Sequence, residues 1–204
     1  GCIDTDTLLV TYSTVPPASA GVDQAICFGQ TATFAATGLA PYDWTMTNYA
    51  NSGLAGAVTN SPSITVTPTQ PGTYTYQVNV ANGVGCTNND VATLTVYALP
   101  VVNAGVDQTI CNASPVILAG SGALSYVWNN GVTNATPFFP SATATYTVVG
   151  TDINGCQNQD QVIVNVLPQP IVQGGLDQTI CAGTPIILNA TTTSATPTAV
   201  TGFQ

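Results

Sequence analysis

Six cysteines and nine acidic residues carry most of the chemical potential of this 204-residue sequence, which contains no Lys, Arg or His; all nine acids are Asp. Their spacing is regular. Residues 20–27 read AGVDQAIC, 104–111 read AGVDQTIC and 174–181 read GGLDQTIC, while Gly-Cys pairs stand at 1–2, 85–86 and 155–156. Both signals advance by 84 and then 70 residues. Each Gly-Cys cysteine precedes the next motif cysteine by 25: Cys2 to Cys27, Cys86 to Cys111, Cys156 to Cys181. Self-similarity in step at two signals marks a tandem array. Thiols at fixed places in small repeats point to disulfides and an oxidising, extracellular setting.

The same inventory argues against catalysis. No imidazole or amine is present to take a proton from Ser or Cys, and no cation to stabilise an oxyanion. Paired carboxylates can hydrolyse glycosides, but Asp4 and Asp6 lie on a strand edge and the other aspartates are scattered. No catalytic residue is assigned, and the reading is non-enzymatic. Asp23, Asp107 and Asp177 repeat within the motif. An Asp after Gly at a strand kink caps a turn with its own side chain, and this is the reading preferred. Ca²⁺ is the alternative, although it gathers several oxygens at one point and only one carboxylate repeats here. No other cofactor is implied. Trp44 and Trp128 read as core aromatics rather than sugar platforms. Asn112, Asn134 and Asn189 head Asn-x-Ser/Thr triplets that matter only in a eukaryotic setting.

These residues must be held by strands. SITVTP (63–68), TYTYQVNV (73–80), VATLTV (91–96), ATYTVVG (144–150) and QVIVNVL (161–167) alternate apolar with Thr, Gln or Asn, the signature of half-buried strands. Gly, Pro and Asn punctuate them at GLAP (38–41), QPG (70–72), ANGVG (81–85) and DINGC (152–156), and no stretch carries a 3.6-residue stripe. Closely spaced short strands of this kind predict an all-β antiparallel sandwich repeated along the chain. The phase divides it into the C-terminal strand of a preceding repeat (1–15), whole repeats over 16–98 and 99–168, and the N-terminal part of a further one (169–204). In the second repeat, 101–105 and 107–111 form a first edge strand kinked at glycine. Strands follow at 115–120, at 124–131 with Trp128, at 144–150 and at 161–167. The 14 extra residues of the first repeat are placed around 46–62, since loops absorb insertions cheaply.

Charge narrows the partners. A net charge of −9 without one cation excludes binding to nucleic acid or anionic lipid by charge neutralisation. Apolar runs such as VIVNVL (162–167) fall far short of the ~18 residues of a membrane span. No membrane insertion is expected. The missing cations also leave trypsin-like proteases nothing to cut, which suits an extracellular protein.

The string P-x-x-x-AG-x-DQ-x-I-C, an apolar strand, a Trp strand, then G-x-Y-x-x-x-V and N-G-C before a last strand resembles PKD and related immunoglobulin-like repeats. It looks most like those of giant surface proteins of Bacteroidota, such as gliding-motility adhesins of the SprB type. The PKD signature W-x-F-G-D-G is absent, with YDWTMTN and YVWNNG in its place, so acidic-loop metal binding does not carry over. The resemblance implies tandem immunoglobulin-like (PKD-like) sandwiches in a linear array, at the cell surface, with export through the type IX system. Asp6-Thr7-Leu8 matches a Bacteroidota O-glycosylation triplet, which makes Thr7 a candidate glycan site.

The expected function is a stalk segment of a long filamentous adhesin, used in gliding or attachment. Its partners would be neighbouring repeats, surface polysaccharide or motility machinery. Alternatives are a glycan- or calcium-binding module of an exported enzyme, and a subunit of a self-assembling surface filament. Strand direction bears on the cysteines. The first strand ends at one pole, and the Gly-Cys pair opens the last strand at the other. A last strand from Cys86 to Val96 spans about 33 Å at ~3.3 Å per residue, whereas a disulfide needs Cα atoms within about 7 Å. The expected bond is therefore Cys27–Cys156 across repeats, with Cys2, Cys86, Cys111 and Cys181 paired outside the sequence. Bonds within repeats, Cys27–Cys86 and Cys111–Cys156, are the alternative.

Overall fold

A computed structural model describes residues 1–193 and divides the chain into two compact units, the first ending at Leu99 and the second beginning at Pro100. Among the described residues there is no helix, so none is long and apolar enough to cross a membrane.

The first unit contains β1 (Ala18–Ser19), β2 (Gln24–Cys27), β3 (Ala32–Ala35), β4 (Thr37–Gly38), β5 (Tyr42–Thr45), β6 (Ser63–Val66), β7 (Gly72–Ala81) and β8 (Thr87–Tyr97). One sheet has the order β2-β8-β7-β5, and β3–β6 and β1–β4 form facing pairs. The sheets bury their apolar faces against each other. Phe34, Ile64 and Val66 from β3 and β6 meet Trp44, Tyr76, Val78, Ala92 and Leu94 from the four-stranded sheet. The Phe34 and Tyr76 rings cross the core with centroids 5.2 Å apart. Period-two alternation places Tyr76, Val78 and Val80 of β7 and Ala92, Leu94 and Val96 of β8 inside, and each fully buried aliphatic side chain contributes about 1.5–3 kcal/mol.

The second unit repeats the plan with β9 (Gln108–Cys111), β10 (Val116–Ile117), β11 (Ser125–Trp128), β12 (Pro137–Phe138), β13 (Ala144–Thr151) and β14 (Gln157–Leu167), in a sheet β11-β13-β14-β9 faced by β10–β12. Val116, Leu118, Trp128, Tyr146, Val148, Val162 and Val164 form its core. Beyond it, β15 (Ile171–Gln173) pairs with β16 (Thr191–Thr193). The Gln173↔Thr191 register repeats Asn103↔Ser121 and Ser19↔Thr37, at the spacing of the sequence repeat.

The expected all-β sandwich is therefore the observed fold, and both tryptophans are core residues, 0% and 5% exposed. The structure lengthens the last strands of the sequence reading. β8 and β14 begin at Thr87 and Gln157, through polar runs with no apolar alternation, because full antiparallel pairing with β7 and β13 carries them past the core. The insertion of the first unit does lie between β5 and β6, but it is not a solvated loop. Leu54 and Ser52 are buried, Val58 bridges Trp44, and the Tyr76 hydroxyl donates to the Ser52 carbonyl. Burial pushes the Tyr76 phenol up to about 12, with a smaller contribution from Tyr74. Residues 1–17 lie in no strand; side chains rather than a ladder hold their end, the Asn82 and Asn88 amides donating to the Thr14 and Pro16 carbonyls. Positions 194–204, the end of the partial repeat 169–204, lie outside the described residues.

Candidate functional site: a carboxylate lock between first and last strands

The repeated aspartates act where the first strand changes sheets. Ser19 and Asn103 pair toward Thr37 and Ser121, whereas five residues later, at Gln24 and Gln108, the chain lies beside β8 or β14. The change is made at Gly21 and Gly105, whose φ values of 90° and 89° suit only glycine well. After the kink, β2 runs parallel to β8 in the register Gln24↔Leu94 to Cys27↔Tyr97, and β9 runs parallel to β14 from Gln108↔Val164 to Cys111↔Leu167.

Two carboxylates close each kink reciprocally. Asp23 accepts from the Thr93 backbone N–H at 2.8 Å, and Asp90 on the last strand accepts from Ala20 N–H at 2.9 Å. In the second unit, Asp107 accepts from Ile163 N–H and Asp160 from Ala104 N–H, both at 2.8 Å. Each strand supplies one acid and receives the acid of the other. Without this, the kink would strand backbone donors between the two sheets. Hydrogen bonds from the Ala104 and then the Gln161 backbone hold the Asp160 carboxyl below the usual carboxylate range, outweighing a small opposing effect of burial. Bonds to an ionised acceptor are shorter and stronger than neutral ones.

Asp23 and Asp107 are thus structural caps, although across strands rather than within a turn. Asp177 is exposed in the partial repeat, where the described residues include no last strand to lock against. Sequence reasoning missed Asp90 and Asp160. A signal was present: an Asp stands four residues after each Gly-Cys cysteine, at Asp6, Asp90 and Asp160. Among the described residues, no three His, Cys, Asp or Glu side chains gather in a group that could hold a metal.

The cysteines divide cleanly. Cys27 and Cys156 are disulfide-bonded; Cys2, Cys86, Cys111 and Cys181 are free. Neither bond within a repeat is formed, and register gives the reason. Cys27 lies opposite Tyr97, eleven residues beyond Cys86, which at ~3.3 Å per residue is about 36 Å. Cys111 lies opposite Leu167, eleven residues beyond Cys156, against the same limit of about 7 Å for bonded Cα atoms. Thr7 is exposed. Asn134 is committed to the fold, its Oδ1 accepting from Trp128 Nε1 at 3.0 Å and from Gly120 N–H at 2.8 Å.

Residues 18–96 match the PKD domain family. No curated protein matches the sequence significantly. Among solved structures, a stretch of three immunoglobulin domains of titin is similar at 15% identity, covering 76% of this chain and 67% of that one, with a TM-score of 0.42. The insect immune protein hemolin is similar at 17% identity over 74% of this chain and 46% of its own, with a TM-score of 0.43. Fibronectin(III)-like modules of CbhA from Clostridium thermocellum are similar at 12% identity over 76% and 95%, with a TM-score of 0.34. Domains of the PKD kind are typical of extracellular, non-catalytic adhesion modules. With residues 18–96 matching that family and the second unit repeating the same strand plan, this is an all-β protein of immunoglobulin-like, PKD-type sandwich fold.

Proposed function

We propose that this chain is a load-bearing stalk segment of a long extracellular adhesin at a bacterial surface. The observation that carries the reading is the lock, present in both units. The chain enters each sandwich at its first strand and leaves at its last, and these two strands run parallel where they pair. A pull on the chain ends therefore slides them past each other and loads all their bonds together, rather than peeling them one by one. Reciprocal carboxylate bonds at the entry to this pair add resistance where the load arrives.

A covalent tie completes the device. In this reading Cys27 is tied to Cys156, and Cys2, Cys86, Cys111 and Cys181 make the same kind of bond with other repeats. What supports this is that the two bonded thiols are these two and that register forbids the pairs within units. The likeness of the repeat string to Bacteroidota surface proteins supports a bacterium of that type as the source, with gliding or attachment as the use. Peptide mapping without reduction tests the tie. A linked Cys27–Cys156 peptide is expected, and a Cys27–Cys86 peptide would overturn it. Single-molecule pulling tests the load: Asp23→Asn and Asp107→Asn should each lower the unfolding force of one unit. Unchanged forces would refute the stalk mechanism.

A further inference from the structure

The sequence contains three Asn-Gly pairs, at 82–83, 130–131 and 154–155, and the structure treats each differently. We propose that Asn130 is a site of spontaneous deamidation, a one-way modification confined to this turn of the second unit. In this reaction the backbone nitrogen of the following residue attacks the side-chain amide carbon. The new bond joins Gly131 N to Asn130 Cγ, the Cγ–Nδ2 bond breaks, and ammonia leaves. Water then opens the cyclic imide at either carbonyl, giving Asp or its β-linked isomer. No oxidant, reductant or enzyme is required. The step needs a side chain free to turn and a following N–H that is neither hydrogen-bonded nor shielded.

Asn82 fails the first condition. Its Oδ1 accepts from Val84 and Cys86 N–H at 3.2 and 2.9 Å, and its Nδ2 donates to Ser13 Oγ and the Thr14 carbonyl at 2.9 and 3.1 Å. Asn154 fails the second, because the Gly155 N–H that would attack is bonded to the Asp152 carbonyl at 3.2 Å. Asn130 meets both. It is exposed, at φ 55° and followed by Gly131 at φ 71° in a turn of the primed type, closed by the Val132 N–H to Asn129 carbonyl bond at 3.2 Å. A side chain at Gly131 would meet nothing within 4 Å, so the nitrogen is open to its surroundings. The β-linked product adds an atom to the backbone of a tight turn that directly follows Trp128. The new carboxylate has no Lys, Arg or His anywhere in the chain to pair with.

The test is incubation of the intact chain at mildly alkaline pH, then chymotryptic mapping by mass spectrometry, with cleavage after Trp128 isolating the turn. The three sites are compared within one sample, so folding is its own control. Each hydrogen bond that must first open slows the step by a factor of a few to about ten. In the folded chain Asn130 should therefore react at least about tenfold faster than Asn82, whose side chain makes four bonds, and a few-fold to about tenfold faster than Asn154, blocked by one. The three rates should converge in denaturant. Equal rates in the folded chain, or a preference for Asn130 that persists unfolded, would overturn the proposal.

Discussion

Replacing Asn134 by Ala tests how the second unit holds its tryptophan. The Asn134 Oδ1 accepts two hydrogen bonds, from Trp128 Nε1 at 3.0 Å and from Gly120 N–H at 2.8 Å. Truncation leaves both donors without a partner, and the indole belongs to a side chain only 5% exposed. An unsatisfied buried donor costs about 1–3 kcal/mol. Because Asn134 itself is only half-buried, water can reach part of the gap, and a total near 2 kcal/mol is expected. A unit of this size has a urea dependence near 1 kcal/mol/M, so its midpoint should fall by roughly 2 M. The assay is urea unfolding followed by Trp128 fluorescence, with parent and variant both carrying Trp44→Phe so that one tryptophan reports one unit. Asn134→Asp keeps the acceptor and should lose much less. A shift below about 0.5 M for Asn134→Ala, given that urea dependence, would show that the two bonds contribute little. In the first unit the same indole role falls to the Ser61 carbonyl, which accepts from Trp44 Nε1 at 3.0 Å, so no side-chain deletion there can reproduce the effect.

Other outcomes follow from the same geometry. Gly122→Ala should destabilise the second unit by a few kcal/mol, visible as a lower midpoint in thermal unfolding. The residue sits at φ 88°, and a Cβ there would run into the Val101 carbonyl oxygen. The Asp160 carboxyl is depressed in the folded state, so its contribution is present above the unfolded carboxylate value near 4 and is lost as pH falls through the lower folded value. Urea midpoints measured from pH 6 to pH 2 should therefore drop at the acid end, and less so for Asp160→Asn; identical profiles would exclude a role for this carboxylate.

Much of this protein was written in its sequence. Alternation of apolar with Thr, Gln and Asn determines which faces of β7, β8, β13 and β14 turn inward, because side chains of a strand alternate sides whatever the tertiary context. Trp44 and Trp128 were legible as core, and the repeat spacing foretold which residues of the two units correspond. The insertion could be placed, but not its burial: that Ser52 and Leu54 close over Tyr76 depends on space left between two sheets. The lock is of the same kind. Asp23 and Asp107 announced themselves by repetition, yet their acceptor role exists only because a kink at glycine brings the first strand beside the last, 70 residues away from Asp23 to Thr93. Asp90 and Asp160 carry no local signature of their partners, since a carboxylate reads the same in sequence whether it faces water or a backbone N–H across a sheet. Tertiary register also decided which cysteines cannot meet. It does so because chain direction and pairing, not spacing along the sequence, set the distance between two ends of a strand.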